Sequence, residues 1–350
     1  MGMDAMALLK AGAFLPAMPL VLDAQRAFDE QNQRRLLRYY IAAGADGVAV
    51  AVHTTQFEIR DPAHDLLARV LSVASDELTR AAQQHGRPVI RVAGACGDIA
   101  QAVSEAELAR ALGYDAMLLS PGGLKEYDDA YLLERTRQVA SVLPVIGFYL
   151  QPAVGGRHLP YAYWRALCDI PGVVAIKCAA FNRYFTLDVT RAVADTGNRV
   201  ALYTGNDDSI LYDLVTPHQY VTADGAKREA RFVGGLLGHW AVWTNTAVRL
   251  FRQAKQLEAG QPVPGDLLAL GNAVTDANAA FFDAANNFAG CIAGVHEVLR
   301  RQGLMDGIWC LNPEETLSPG QAEEIDRVYR MYPELNDDAF VRAFLSNDAS

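Results

Sequence analysis

Val173-Val174-Ala175-Ile176-Lys177-Cys178-Ala179 is an apolar run with a single charge in it. Apolar side chains on both sides of the pleat read as an interior strand of a parallel sheet, covered on both faces. An ammonium group in such a strand is costly to desolvate, so the protein must pair it or lower its pKa. A lysine with a lowered pKa is partly neutral, and the neutral amine is the form that attacks a carbonyl carbon to make a Schiff base. Lys177 is therefore a candidate nucleophile. The competing reading is a strand-end lysine with a buried stem and a head that reaches solvent or an acid.

Working outward from this strand, similar short runs recur at 13–21, 47–55, 88–95, 116–120, 144–150, 200–204 and 240–244. Amphipathic stretches separate most of them, at 30–43, 65–85, 99–112, 131–142, 161–169, 187–196 and 209–215. Strands alternating with helices in this order predict a (β/α)8 TIM barrel, whose active site lies at the C-terminal ends of the strands. A doubly wound open sheet is the runner-up. After residue 246 the strands stop, and 247–260, 264–288, 293–301, 319–332 and 337–345 read as helices. The expected organisation is a catalytic barrel over 1–246 and a C-terminal helical appendage over 247–350, packed as one continuous fold.

Composition narrows the function classes. A chain of 350 residues with 51% hydrophobic content can bury a large core. A net charge of −10, with the basic residues scattered, argues against nucleic-acid and anionic-membrane surfaces, which need clustered Lys and Arg. Five cysteines, odd in number and without a Cys-x-x-Cys pair, read as reduced small residues of a cytoplasmic protein. The stretch from Met1 to Leu20 is apolar but broken by Asp4, Lys10, Pro16 and Pro19, so neither a signal peptide nor a membrane helix is expected.

The polar residues of interest fall at the ends of the expected strands. His53-Thr54-Thr55 ends the second, Tyr149 and Pro152 end the fifth, Lys177 lies on the sixth, and Gly205-Asn206-Asp207-Asp208 ends the seventh. Each has an ordinary explanation as a cap, core ring or tight turn. Together they suit Schiff-base chemistry on a 2-oxo acid. That reaction needs an amine, a hydroxyl to carry protons and neutral donors for the substrate carboxylate, which Lys177, Tyr149 and Thr54-Thr55 supply in turn.

The ordered set Thr54-Thr55, Tyr149-Leu-Gln-Pro152, Ala175-Ile176-Lys177 and Gly205-Asn-Asp-Asp208 resembles the dihydrodipicolinate synthase and N-acetylneuraminate lyase family. The family is described by a Gly-Thr-Thr-Gly-Glu loop, a Tyr-Asn-x-Pro strand end, a Gly-x-Lys strand and a Gly-Asp-Asp turn. The resemblance implies a homo-oligomeric barrel, tetramer or dimer, in which Lys177 forms the Schiff base and Tyr149 shuttles the proton. It also implies that the Thr54-Thr55 loop binds a pyruvate-like carboxylate. The departures matter too. His53 stands where the family loop has glycine, and Gln56-Phe57 replaces Gly-Glu. Pro121-Gly122-Gly123 stands where the synthases carry a tyrosine pair, and Val154 where they carry an arginine. Condensation with aspartate semialdehyde is therefore not expected.

The chain is thus expected to be a Schiff-base lyase, aldolase or hydro-lyase, acting on a 2-oxo acid such as pyruvate or a 2-keto-3-deoxy sugar acid. Candidate catalytic residues are Lys177, Tyr149 and Thr54, and candidate substrate-binding residues are Thr55, His53, Gln56, Gly205, Asn206 and Arg157. Neither a metal nor an organic cofactor is expected. No His-Glu-x-x-His, Gly-x-Ser-x-Gly or P-loop motif is present. The alternative is a ligand-binding or regulatory protein that keeps the barrel without turnover.

Overall fold

The structure is a computed structural model that describes residues 4–222, 225–257 and 260–348. Its strands are β1 (Phe14–Pro16), β2 (Gly47–Val50), β3 (Ile90–Ala95), β4 (Ala116–Leu119), β5 (Val145–Leu150), β6 (Val173–Ala179), β7 (Ala201–Thr204), β8 (His218–Val221), β9 (Lys227–Ala230) and β10 (Phe232–Leu237). Eight of them form one parallel sheet in the order β1-β10-β7-β6-β5-β4-β3-β2. A parallel bridge between Ala17 and Ala49 joins its two ends, with the Met18 N–H donating to the Ala49 carbonyl at 2.9 Å. The sheet is therefore a closed barrel, as the alternation of runs predicts.

Around it run α1 (Ala5–Ala11), α2 (Glu30–Ala42), α3 (Leu67–His85), α4 (Ile99–Ala111), α5 (Asp129–Ala140), α6 (Tyr161–Leu167), α7 (Arg183–Asp195) and α8 (Ile210–Val215). The C-terminal region is helical: α9 (Thr244–Lys255), α10 (Gly265–Phe281), α11 (Cys291–Arg301), α12 (Gln321–Met331) and α13 (Asp338–Asp348). Residues 258–259, inside the helix expected over 247–260, lie outside the described residues. The helix expected over 264–288 stops at Phe281, and Phe282 to Gly290 form a loop containing a single short turn. Among the described residues no helix is long and apolar enough to cross a membrane.

The eighth barrel strand is not where the apolar run at 240–244 places it. Strand β10 covers Phe232–Leu237, and Trp240 instead stacks on Phe14 with ring centroids 3.8 Å apart. The two facts are one. A Cβ on Gly235 would stand 2.5 Å from the Trp240 ring, so that position must be glycine, and the Gly234-Gly235 pair interrupts the apolar run of the strand. The β8–β9 hairpin, antiparallel and outside the barrel, is a further element that the run pattern does not predict.

The pleat sorts side chains into two layers. Ile146, Phe148 and Leu150 of β5 and Ala175 and Ala179 of β6 belong to the barrel interior, with Leu15, Val92, Leu118 and Leu236. Tyr149, Ile176 and Cys178 belong to the larger core between barrel and helices. Helix α1 packs against β3, β7 and β10. There Tyr203, buried inside the barrel, donates its hydroxyl to the Leu9 carbonyl at 2.6 Å and accepts the Ala13 N–H at 3.0 Å.

Candidate active site

A cavity of ≈ 90 Å³ opens at the C-terminal ends of the strands, and Lys177 lies in its wall. The residue is buried, with its Nζ 4.4 Å from the centroid of the Phe148 ring. Burial pulls the Lys177 amine down from its ordinary value, and the negative charge of Asp207 partly restores it. Room for the lysine stem comes from Gly205, where a Cβ would stand 2.6 Å from Lys177 Cε and 2.9 Å from Ala179 Cβ. Any side chain at 205 would collide with the amine arm, so Gly205 is a positioning residue for Lys177.

Asp207 follows β7 and lines the same cavity. Its Oδ1 accepts the His239 N–H at 3.0 Å, and its carbonyl accepts from Asn278 Nδ2 at 2.7 Å. Burial pushes its carboxyl above the usual range, while the His239 hydrogen bond and the Lys177 charge oppose that rise. A buried amine and a buried carboxyl are thus drawn toward each other's pKa, the condition in which a proton moves between two groups at little cost.

The turn His53–Thr55 brings His53 and Thr54 to the cavity. Thr54 and Thr55 both donate their hydroxyls to the Met18 carbonyl, at 3.2 and 2.7 Å. Thr55 is fully buried and Thr54 is the one that faces the cavity. His53 is pushed down to about 4 by burial and then by the Lys177 charge, so it is neutral at neutral pH. Gln56 is buried away from the cavity lining, its Oε1 accepting the Leu311 N–H at 2.6 Å. It therefore ties the turn to the C-terminal region.

Two of the expected site residues are structural props. Asn206 accepts the Phe181 N–H at 3.0 Å and donates to Asp213 at 2.9 Å, which fixes the backbone of a cavity residue from behind. Arg157 pairs with Asp129 at 2.5 Å and donates to the Tyr127 carbonyl, which ties it to α5 and the loop before it, apart from the cavity lining.

Tyr149 is not brought to the cavity. It is fully buried on the outer face of β5, stacked on Trp164 with ring centroids 5.1 Å apart, and burial pushes its hydroxyl up to about 12. The pleat of β5 puts Ile146, Phe148 and Leu150 inside and Tyr149 outside, and β6 carries a register shift beside it. Val145 pairs with Val173 but Ile146 with Ala175, so Val174 is an extra residue on β6. An unbroken register would set Tyr149 beside Lys177. The shift sets Phe148 there instead and brings Lys177 onto the inner face with it.

The cavity also contains residues that motif reading missed: Ser120, Phe148, Gln151, Phe181, Phe288 and Cys291. Ser120 Oγ accepts the Gly122 N–H at 3.1 Å, so Gly122 steadies a cavity hydroxyl. Three lining residues, Ala51, Phe181 and Phe288, hold left-handed backbone with φ of 59, 49 and 66°. Each such conformation costs about 1–3 kcal/mol and persists only where its surroundings enforce it, commonly at functional sites. Nothing in the local sequence signals those positions.

Residues 10–218 match the model of the dihydrodipicolinate synthetase family, and the chain belongs to that family. It is 26% identical over 208 residues to an N-acetylneuraminate lyase of Citrobacter koseri, an alignment covering 57% of this chain and 64% of the lyase. A probable 5-dehydro-4-deoxyglucarate dehydratase of Arthrobacter is 34% identical over 119 residues, 34% of this chain and 36% of that one. The chain thus spans under two thirds of the length of these curated relatives. Among solved structures, a prophage protein of the dihydrodipicolinic acid synthase family from E. coli K12, in complex with pyruvate, superposes with a TM-score of 0.72 at 16% identity. That match covers 93% of this chain and 98% of the other. A lyase and a dehydratase among the relatives mark the family as one of lyases, and the structural likeness carries the barrel fold.

Proposed function

We propose that the protein is a Schiff-base lyase acting on a 2-oxo acid, with Lys177 as the nucleophile. The observation that carries this reading is a desolvated amine directed into the cavity at a strand end, with a glycine cut away to admit it. Neutral Lys177 adds to C2 of the oxo acid, and a proton is transferred from nitrogen to the former carbonyl oxygen. A second proton then lets that oxygen leave as water and yields the protonated imine. The imine withdraws electrons from C3, so either a C3 proton or the bond from C3 to C4 can be lost. Aldol cleavage and loss of water thus share this first half.

In this reading the proton carrier is Asp207 rather than a tyrosine. A carboxyl whose pKa is raised toward neutrality is protonated often enough to release water from the carbinolamine, and its anion can take the C3 proton. His53 stands at the cavity as a neutral donor for the substrate carboxylate, and Thr54 joins it by turning its hydroxyl from the Met18 carbonyl. Borohydride reduction in the presence of pyruvate is expected to fix the three-carbon unit on Lys177, read by peptide mass. Absence of an adduct with pyruvate and several other 2-oxo acids sinks the proposal.

A second reading, a ligand-binding barrel without turnover, is favoured by one observation: the ring beside Lys177 is Phe148 and has no hydroxyl. Turnover of any 2-oxo acid excludes it.

A further inference from the structure

The lining of the cavity divides by chemistry in a way that bears on the far end of the substrate. Its polar side chains are few, with Gln151 and His53 at the β5 and β2 ends and the others partly engaged. Thr54 donates to Met18, Ser120 accepts from Gly122, Asp207 holds the His239 N–H, and Lys177 is committed to C2. Arg157, the side chain best suited to a distal carboxylate, is held by Asp129 and Tyr127. The remaining wall is apolar and rich in phenylalanine. Phe57 comes from the turn after β2, Phe181 from the end of β6, Phe282 from the end of α10, and Phe288 from the loop before α11.

Separate elements therefore converge on the same cavity with the same side chain. Phe181 and Phe288 meet edge to face, with ring centroids 5.8 Å apart and planes at 70°. Both stand on left-handed backbone, which side chains avoid unless neighbours enforce it. Asn206 supplies that enforcement at Phe181 by holding its N–H. Phe282 is set against Gly238, where a Cβ would stand 3.1 Å from its Cζ. Such a wall offers dispersion and edge contacts to a flat apolar group. Hydroxyls placed against the phenylalanines themselves would lose water without gaining partners there.

We infer that the part of the substrate beyond C3 is aromatic or otherwise apolar, seated against Phe57, Phe181, Phe282 and Phe288. This specificity rests on the Lys177 imine reading. In the synthetic direction, the imine of pyruvate loses a C3 proton to give an enamine, whose C3 attacks the carbonyl carbon of an aryl aldehyde. A new bond from C3 to C4 forms, the aldehyde oxygen takes a proton, and water releases the 4-hydroxy-2-oxo acid from Lys177.

The test has separate chemical and binding arms. The wild-type protein is given pyruvate with either benzaldehyde or glyceraldehyde, and product formation is followed. Calorimetry in parallel measures binding of a phenyl-bearing 2-oxo acid, 2-oxo-4-phenylbutanoate, and of a polyhydroxylated one, 2-keto-3-deoxygluconate. The expected result is a preference of about tenfold or more for the aryl partner in both arms, the range over which apolar pockets discriminate. Phe181→Ser and Phe57→Ser, from separate elements, are each expected to weaken the phenyl ligand about tenfold and to narrow the preference. Pyruvate trapped on Lys177 together with equal or greater use of glyceraldehyde overturns the apolar specificity and leaves the imine reading standing. A phenyl preference in binding without any trapped adduct overturns the imine reading and leaves the apolar chamber standing. Equal binding of the two oxo acids overturns the chamber whatever the chemistry.

Discussion

The two faces of β5, one residue apart, hold opposite kinds of aromatic ring. Phe148 faces inward, 4.4 Å from the Lys177 ammonium, while Tyr149 faces outward against Trp164. The residue with a hydroxyl to offer is in the packing layer, and the residue without one is beside the buried amine. Only the side of the pleat decides which is which, and one extra residue on β6 decides that Lys177 shares the side of Phe148. The order of motifs along a chain therefore identifies a family sooner than it identifies which side chains share a cavity.

The comparison can be broken most severely at Lys177. Lys177→Ala is expected to lower turnover by about 10⁴-fold or more, as loss of a covalent nucleophile does, and to abolish borohydride trapping. Residual trapping in a peptide-mass assay would move the nucleophile elsewhere.

Asp207→Asn comes next, with turnover expected to fall about 10²- to 10³-fold, within the range for a lost proton carrier. It carries a second signature. Asp207 holds the Lys177 pKa up, so its neutralisation lets that pKa fall further and the acid limb of the pH–rate profile should move to lower pH. A profile that keeps its position, or moves upward, separates Asp207 from the amine.

A stability effect of intermediate size distinguishes the cavity from its shell. Burial pushes His53 in the cavity, and His239 and His296 in the shell, down to about 4. Between that value and the unfolded value of about 6.5 the unfolded chain binds more protons, so stability is full above that window and is lost as pH falls through it. The loss is about 1 kcal/mol per histidine near pH 5.5, opposed in part by Asp207, whose shift has the other sign. His296→Gln is expected to flatten the fall in Tm between neutral and acid pH. An unchanged slope would show that His296 titrates normally.

The smallest expected effect is at the residue the motif singles out. Tyr149→Phe removes a hydroxyl that is buried outside the cavity, its nearest polar neighbour the Leu159 backbone, so turnover should change by less than about twofold and Tm by little. A rate drop of about 10²-fold would return Tyr149 to the mechanism.

Much of the fold was legible because its signal is repeated. Seven apolar runs became barrel strands, and the Ala175-Ile176-Lys177 segment marked the strand that carries the amine. The eighth strand was unreadable because Trp240 demands glycine beneath it, which interrupts the apolar run of the strand, while the turn above reads as one. At the candidate site, Lys177, Thr54, His53 and Gly205 could be assigned to the cavity from their places at strand ends. Phe282 and Phe288 could not, because they arrive from beyond the barrel, where a loop interrupts an apolar stretch that reads as continuous helix. Arg157 was misjudged for a similar reason, since its partner Asp129 lies on α5 and only the tertiary fold brings them together.

The barrel closes where β1 meets β2 through the bridge between Ala17 and Ala49, while the other neighbouring strands share ladders of three or more paired positions. The Met18 amide spans this seam, and the Met18 carbonyl is the shared acceptor for both threonines of the turn at the cavity floor. Around that bridge the seam is tied by single bonds: the Asp46 N–H donates to the Phe14 carbonyl at 3.1 Å, the Phe14 N–H to Asp46 Oδ2 at 2.8 Å and the Leu20 N–H to the Thr54 carbonyl at 3.3 Å. The threonine turn is thus anchored to the seam itself, while the lysine strand lies three strands from β1 and four from β2 around the wall. A displacement of β1 against β2 would therefore reach the threonine turn directly and the Lys177 amine only through the intervening strands.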